Sequence, residues 1–168
     1  MSFMELAKAR YSVRAYLNKD VEQEKIDRIL EAAKIAPTAK NSQPQRIYVL
    51  KSKEALAQAA ETSPCIYGAP LVFMVCVDET EVYQTPQLRS GDVDASIVGT
   101  HMMLEAWEQG LGSVWVLKFD PAKAKEIFRL PENIRPVFLL PVGYAAPEAK
   151  PSDRHEAYRP MSEMVFEL

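Results

Sequence analysis

Apolar residues at helical spacing mark the first part of the chain. Ser2 stands three residues before Glu5, a spacing at which each side chain caps the other's turn, and this predicts a short opening helix. A polar link follows, after which Asp20 is expected to cap a second helix that Pro37 ends. The apolar positions of this second helix recur at helical spacing: Ile26, Ile29, Leu30 and Ala33.

Strand-like and helix-like segments alternate along the rest of the chain. The pattern predicts strands over 47–50, 71–77, 114–117 and 137–142, and helices over 54–60, 92–109 and 121–128. Strand 71–77 is apolar throughout and is expected to be buried on both faces. Helix 92–109 has almost no polar face, so it is expected at the centre of the fold or in an oligomer interface. The alternation predicts an α/β or α+β fold.

Length and composition indicate one folded domain. The chain has 168 residues, of which 48% are hydrophobic and 26% charged, values typical of a globular protein. It has no internal repeat and no second composition regime, so a single domain over residues 1–168 is expected. Prolines and charges replace periodic apolar positions from residue 145 onward. Residues 145–168 are therefore expected to form an extended C-terminal arm that packs on a partner surface.

The charge balance and the numbers and spacing of cysteines and histidines disfavour several classes of function. The chain has 20 basic and 23 acidic residues and a net charge of −3, so no nucleic-acid or anionic-membrane partner is expected. No apolar run approaches the length that spans a bilayer, and we expect a cytoplasmic protein. The two cysteines, Cys65 and Cys76, and the two histidines, His101 and His155, lack zinc-ligand spacing, so no metal site is expected.

Three polar clusters could carry chemistry, and the first lies directly after the opening helix. In an extended segment Arg10, Ser12 and Arg14 point to the same side, with Tyr11 and Val13 between them. Two guanidinium groups and a hydroxyl suit a phosphate. The alternative is that the arginines are solvated or complement the C-terminus of the preceding helix.

The second cluster is a loop bracketed by Pro37 and Pro44. Its amide and hydroxyl groups could recognise the edge of a heterocycle, or could form ordinary turns between a helix and a strand. The third cluster is Gly-Leu-Gly-Ser over 110–113, in which Gly110 ends a helix and Gly112 has no assigned role. This cluster follows a helix and lacks the third glycine, so a dinucleotide-binding Gly-rich turn is rejected.

Motifs for covalent or metal-dependent chemistry are missing from the sequence. It contains no nucleophile elbow, no phosphate-binding P-loop and no zinc-protease helix motif. A candidate phosphate site and an amide-rich loop, without a catalytic side-chain set, indicate a bound cofactor that supplies the reactive atom.

Taken together and in this order, the clusters resemble the FMN-dependent nitroreductase family. The resemblance rests on R-x-S-x-R at 10–14, P-T-x-x-N-x-Q-P at 37–44, an Asp92-headed helix before G-L-G-S at 110–113, and Gly143-Tyr144 followed by a tail with Arg154. It implies an α+β three-layer sandwich in which helices flank a mainly antiparallel sheet. It also implies a homodimer with FMN at the subunit interface and a C-terminal arm that crosses to the partner subunit.

The resemblance implies a phosphate site and a flavin charge partner. Arg10 and Ser12 would hold the FMN phosphate, with Tyr11 in the same cofactor-binding segment and Arg154 added from the tail. Arg14 would lie near the flavin N1 and C2 carbonyl, where a fixed cation stabilises the reduced ring.

The resemblance also implies which residues contact the rest of the flavin. The ring and ribityl chain would be contacted, in part from the other subunit, by Thr38, Ala39, Asn41 and Gln43. The backbone near flavin N5 would come from Trp115, Val116, Leu117 and Lys118.

The implied activity is transfer of a hydride from NADH or NADPH through flavin N5 to a small acceptor such as a nitroaromatic or a quinone. It requires no acid or base from the protein. One alternative is a flavoenzyme of the same fold that catalyses dehalogenation, dehydrogenation or flavin fragmentation. Another is a flavin-storing or regulatory dimer without turnover, because Leu117 and Lys118 stand where relatives often have small residues and could restrict the nicotinamide.

Overall fold

A four-stranded antiparallel sheet forms the middle layer of the protein. The computed structural model describes residues 2–168. The helices are α1 (Phe3–Ala9), α2 (Gln23–Ile35), α3 (Lys53–Thr62), α4 (Gly91–Glu108) and α5 (Pro121–Ile127). The strands are β1 (Gln45–Leu50), β2 (Leu71–Asp78), β3 (Gln84–Thr85), β4 (Leu88–Arg89), β5 (Gly112–Ser113) and β6 (Ile134–Gly143). Short 3₁₀ turns lie at Ala39–Asn41 and Met161–Glu163.

The sheet has the strand order β1-β2-β6-β5, and each neighbouring pair is antiparallel. Strands β3 and β4 form a separate hairpin. In the central β2–β6 pair, Leu71 lies opposite Val142 and Val75 opposite Phe138, and a bulge then shifts the register before Cys76. Strand β2 is buried along its whole length, which confirms the expectation from its continuous apolar run.

Helices cover both faces of this sheet. On one face, Phe73 and Phe138 belong to a buried cluster with residues of α2 and α4. On the other face, Met74 and Leu139 pack with residues of α3 and α5. The structure therefore confirms the α+β three-layer sandwich. Among residues 2–168, no helix combines the length and the hydropathy needed to cross a membrane.

Helix α1 begins as predicted, whereas α2 does not. Ser2 and Glu5 form the reciprocal capping box, with Ser2 N–H donating to Glu5 Oε2 at 2.7 Å. The expectation that Asp20 caps α2 is wrong, because the residue before its first turn is Glu22. A 2.6 Å hydrogen bond from Tyr144 Oη to the Glu22 carboxylate fixes this end and is the main cause that lowers the pKa of Glu22 to about 2. A contact distant in sequence thus overrides a local capping signal.

The strand predicted over 114–117 is shifted in the structure. Strand β5 is Gly112–Ser113, and beyond it one bond at Val114 and an isolated bridge at Val116 continue the pairing with β6. Val114 N–H donates to the Pro141 carbonyl at 3.2 Å, and Val116 N–H donates to the Leu139 carbonyl at 2.9 Å. The β3–β4 hairpin lies in the polar stretch 78–89, where no apolar alternation predicts strands.

The C-terminal tail divides into two parts. Residues 145–157 follow the N-terminal segment of the same chain, where Ala146 N–H donates to the Ala15 carbonyl at 3.0 Å. The remaining residues, 158–168, are exposed, and Tyr158 and Phe166 keep 73% and 75% of their surface accessible. An arm that crosses to a partner subunit therefore stays a prediction, and it concerns the exposed part, 158–168.

Candidate cofactor site

A polar pocket of about 220 Å³ lies where the N-terminal segment meets the tail. It is lined by Arg10, Tyr11, Ser12, Arg14, Ser152, Arg154 and His155. Both sequence stretches predicted to bind a phosphate thus reach one pocket, although they are separated by most of the chain. We call this the anion pocket.

The arginines of the anion pocket have no carboxylate partners. Among residues 2–168, no Asp or Glu oxygen lies within the 4.0 Å ion-pair distance of Arg10, Arg14 or Arg154. Arg14 donates instead to the Ser12 carbonyl at 3.2 Å. Guanidinium groups that share a pocket repel one another, and a phosphate would bring them both charge compensation and bidentate acceptors. The donor set therefore fits a phosphate group.

The wall of the anion pocket is fixed to the sheet at Val13. Val13 N–H donates to the Ser113 carbonyl at 3.0 Å, and the Val13 side chain is fully buried. A Cβ on Gly112 would lie only 2.5 Å from Val13 Cγ2. Gly112, which the sequence left without a role, therefore allows the arginine segment to approach β5. The first and third polar clusters form one structural unit.

The loop after α3 lies close to Arg14 and to segment 115–118. Ser63 Oγ donates to the Lys118 carbonyl at 2.7 Å, which ties this loop to segment 115–118. Tyr67 has a φ of 56°, a conformation that bulky residues rarely adopt. A hydrogen bond with the Cys65 thiol and burial raise the pKa of Tyr67, against the opposing effect of the Arg14 guanidinium. Tyr67 therefore lies close to Arg14, although it is not among the residues that line the anion pocket.

The Pro37–Pro44 loop is not part of the anion pocket lining. Ala39 N–H donates to Asp94 Oδ1 at 2.8 Å, and Ser90 Oγ donates to Asp94 Oδ2 at 2.6 Å. Thr38 Oγ1 accepts a 3.0 Å bond from the Gln43 N–H. A buried carboxylate of α4 therefore anchors the loop.

Several residues of this loop and its border have unusual backbone angles or polar atoms without hydrogen bonds. Lys40, Asn41 and Gln43 have positive φ values of 52°, 53° and 49°, and all three residues are exposed. The buried oxygens Ser42 Oγ and Gln45 Oε1 have no hydrogen-bond partner among residues 2–168. Buried polar atoms are normally satisfied, so these two oxygens are exceptions within the described part of the chain.

Segment 115–118 forms an open edge of the sheet. Both backbone groups of Val116 pair with β6, at 2.9 and 3.0 Å. The Trp115 ring stacks on Phe138 with centroids 3.9 Å apart, and Leu117 is 68% exposed. Backbone groups alternate along a strand, so the N–H groups of Trp115 and Leu117 face away from β6. Within residues 2–168 neither of them makes a backbone hydrogen bond.

Sequence reasoning missed two residues of the anion pocket, Ser152 and His155. His155 Nε2 lies 3.1 Å from the Lys8 carbonyl oxygen, and its ring meets the Tyr11 ring edge to face with centroids 6.2 Å apart. The one signal in the sequence is that His155 directly follows Arg154 in the tail.

Comparisons with known proteins agree with this architecture. The family model described as "Nitroreductase family" matches residues 7–63 and 57–144. A Methanothermobacter thermautotrophicus protein named for NADH dehydrogenase/NAD(P)H nitroreductase activity is 31% identical over 153 residues, covering 87% of this chain and 78% of that protein. A Bacillus subtilis protein named FMN reductase (NAD(P)H) is 28% identical over 155 residues, covering 80% and 62%. The crystal structure of a nitroreductase family protein from Clostridium difficile 630 is 43% identical with a TM-score of 0.92, covering 99% and 98% of the two chains, and it confirms the fold.

Proposed function

Because the chain belongs to the nitroreductase family, we propose that it catalyses FMN-dependent transfer of a hydride from NADH or NADPH to a small acceptor such as a nitroaromatic or a quinone. Family membership makes the chain an FMN-dependent NAD(P)H oxidoreductase, and the hydride route and the acceptor are the proposed part. The observation that carries the proposal is the anion pocket, in which Arg10, Arg14 and Arg154 meet without a carboxylate.

The anion pocket fits the phosphate of FMN. A phosphate monoester is close to a dianion at neutral pH and accepts several hydrogen bonds. Arg10 and Arg154 provide guanidinium donors, and Ser12 and Tyr11 line the same pocket with hydroxyl groups. The segment that carries three of these residues is anchored through buried Val13. The backbone that carries Arg10, Tyr11 and Ser12 is therefore held in place before the anion binds.

The flavin ring is expected to lie along segment 115–118. The outward N–H groups of Trp115 and Leu117 are free to donate to ring heteroatoms. Arg14 lines the anion pocket together with the phosphate donors. When bound, FMN supplies the atom that carries the hydride. The contribution of Arg14 is a fixed positive charge that favours the reduced, more negative ring. No side chain of the protein is required as an acid or a base.

The cofactor site is expected to be completed by a second copy of the chain in a homodimer. Thr38, Ala39, Asn41 and Gln43 belong to a loop that does not line the anion pocket of its own chain. Asn41 and Gln43 are exposed in the single chain, so they are free to contact a partner. Val93 on α4, which is 53% exposed, and the exposed apolar residues of the arm 158–168 are further surface that a dimer would bury.

A visible absorption spectrum of the purified protein, followed by anaerobic addition of NADH and then NADPH, tests the proposal. A yellow protein that either nucleotide bleaches, and that a nitroaromatic or a quinone reoxidises, is the expected result. Flavin that dithionite reduces but no nicotinamide reduces would instead favour the flavin-storing dimer, with exposed Leu117 as the first residue to shorten. A colourless protein that does not take up added FMN would refute the proposed function.

A further inference from the structure

Lys40 of the Pro37–Pro44 loop is held over an aromatic ring. Its ammonium nitrogen lies 4.8 Å from the centre of the Tyr83 ring. We propose that this pair selects the electron acceptor and favours aromatic acceptors that carry a carboxylate or another anionic substituent. The inference deepens the proposed function and rests on it, because it takes the same loop to lie at the flavin through Ala39 and Asn41.

A hydrogen-bond network fixes Lys40 and Tyr83 side by side. Asp94, a buried carboxylate of α4, accepts bonds from the Ala39 N–H at 2.8 Å and from Ser90 Oγ at 2.6 Å. The Ser90 N–H in turn donates to the Tyr83 carbonyl at 2.9 Å. The backbone on both sides of the pair is thus tied to one buried carboxylate, and the position of the pair does not depend on the ammonium–ring contact alone.

The Lys40 ammonium has no anionic partner in the described part of the chain. No Asp or Glu oxygen lies within 4.0 Å of it, and Glu81, two residues before Tyr83, forms no ion pair there. Lys40 is exposed and Tyr83 is half-buried. An ammonium group over a ring keeps its full charge, because the ring supplies a quadrupole and no counter-charge. The charge therefore remains available to an anion.

A second unpaired lysine lies in the other segment that is expected to contact the flavin. Lys118 is exposed, and within residues 2–168 its ammonium forms no ion pair. Its carbonyl oxygen accepts the 2.7 Å bond from Ser63 Oγ, which fixes the backbone that carries this charge. Although the net charge of the chain is −3, both flavin segments thus carry an unpaired cation. Such a local field favours an anionic acceptor over a neutral one of the same shape.

Two acceptors that differ in charge test this selection. Para-nitrobenzoate and para-nitrobenzamide carry the same reacting group on rings of similar size, but only the first is an anion at neutral pH. With either acceptor, one hydride from the nicotinamide and one solvent proton convert the nitro group to a nitroso group and water. The measured quantity is the ratio of kcat/KM for nitrobenzoate to kcat/KM for nitrobenzamide, at saturating FMN. Differences in intrinsic reactivity cancel when this ratio is compared between variants.

Lys40→Gln should lower the ratio by about two- to fivefold, the size of one exposed charge pair, mainly through the KM for nitrobenzoate. The ratio of the wild type should also fall in concentrated sodium chloride, and that of the variant should fall less. Tyr83→Leu removes the ring under the ammonium and should lower the ratio in part, whereas Tyr83→Phe should keep the wild-type ratio. Lys34→Gln is the matched control, because it removes the same charge from an exposed lysine that pairs with Glu31.

Two results would overturn the inference. One is a ratio in Lys40→Gln equal to that of the wild type and of Lys34→Gln, and the other is a wild-type ratio that does not respond to salt. Reduction of the bound flavin by NADH or NADPH is recorded separately, before any acceptor is added. Flavin that a nicotinamide reduces, in a protein whose ratio ignores Lys40, contradicts only the inference.

The opposite outcome is also distinguishable. Flavin that only dithionite reduces, and that nitrobenzoate then reoxidises faster in the wild type than in Lys40→Gln, contradicts only the nicotinamide step of the proposed function. A protein that takes up no FMN contradicts both the function and the inference.

Discussion

Arginines gather at two places on this protein, and their neighbours differ. At the first, Arg89 and Arg135 both bond to Glu79, and Arg135 Nη2 donates to Asp92 Oδ1 at 2.7 Å. We call these four residues the paired cluster. Burial alone would raise the pKa of Glu79, but the bonds from the two arginines outweigh it and the pKa is lowered. Each charge of the paired cluster already has a partner in the protein.

The second place is the anion pocket, where the arginines form no ion pair with any acidic residue in the described part of the chain. Both places contain a pocket of a few hundred cubic ångströms, about 340 Å³ at the paired cluster and about 220 Å³ at the anion pocket. Size and arginine content therefore do not distinguish them. The difference is that the arginines of the paired cluster form ion pairs with carboxylates of the folded protein, whereas the arginines of the anion pocket can form them only with a bound anion. A paired arginine contributes to stability, and an unpaired set contributes to ligand affinity at some cost in repulsion.

Arg10→Ala tests this distinction with the largest expected effect. Removal of one charge-assisted hydrogen-bond donor should weaken FMN binding by about 1 to 3 kcal/mol, roughly 5- to 150-fold in Kd. The free energy of unfolding of the flavin-free protein should stay the same or rise, because a repulsive charge is removed. Fluorescence titration with FMN and denaturant unfolding measure the two effects. Unchanged flavin affinity would remove Arg10 from the phosphate site.

Gly112→Ala should lower both the free energy of unfolding and the affinity for FMN. The added Cβ would meet the Val13 side chain at 2.5 Å, and overpacking of this kind costs about 1 to 3 kcal/mol of unfolding free energy. Because Val13 anchors the arginine segment, FMN affinity should fall as well. Gly110→Ala is the matched control. Its φ of 73° strains an alanine, but no atom lies within 4 Å of the added Cβ, so stability should fall while FMN affinity stays unchanged. Equal flavin affinity in the two variants would contradict the anchoring role of Val13.

Local signals in the sequence were sufficient to predict most of the helices and strands and to bring five of the seven residues that line the anion pocket to attention. The apolar run of β2 and the capping box of α1 depend on neighbouring residues only, and both are found as predicted. The spacing of Arg10 and Arg14 likewise indicates that they share a side, and both line the anion pocket.

The features that the sequence did not indicate depend on distant contacts. Glu22 replaces Asp20 at the start of α2 because Tyr144 reaches it from the end of the sheet. The close approach of Val13 explains Gly112 only once β5 and the N-terminal segment lie side by side. The contribution of His155 to the pocket depends on the tail folding back along its own chain. No spacing or periodicity encodes these neighbours.

Asp78, directly before Glu79, is a carboxylate whose contribution to stability depends on pH. Its Oδ1 accepts a 2.6 Å bond from Thr80 Oγ1 and a 2.8 Å bond from Asn133 Nδ2, and these bonds, with a smaller effect of Arg46, lower its pKa to about 2. A folded pKa below the unfolded value means that Asp78 stabilises the protein above about pH 4, and that this contribution is lost as pH falls toward 2.

Thermal unfolding of the wild type and of Asp78→Asn, measured from pH 6 down to pH 2, tests this expectation. The variant should melt earlier at pH 6, and the difference should shrink as the wild-type carboxylate is protonated. Asp153→Asn is the matched control, because Asp153 forms no ion pair among residues 2–168. A difference between wild type and Asp78→Asn that is independent of pH would show that shape rather than charge holds this end of β2.

Arg89→Ala has the smallest expected effect and tests the same comparison at the paired cluster. Arg89 pairs with Glu79 and its side chain is 55% exposed, so its loss should lower the free energy of unfolding by only about 0.2 to 1 kcal/mol. Salt screens exposed pairs, so the difference from wild type should fade in concentrated sodium chloride. FMN affinity should not change, which is the reverse of the result expected for Arg10→Ala. If Arg89→Ala weakens FMN binding as strongly as Arg10→Ala does, then carboxylate pairing is not the property that separates a stabilising arginine from a ligand-binding one in this protein.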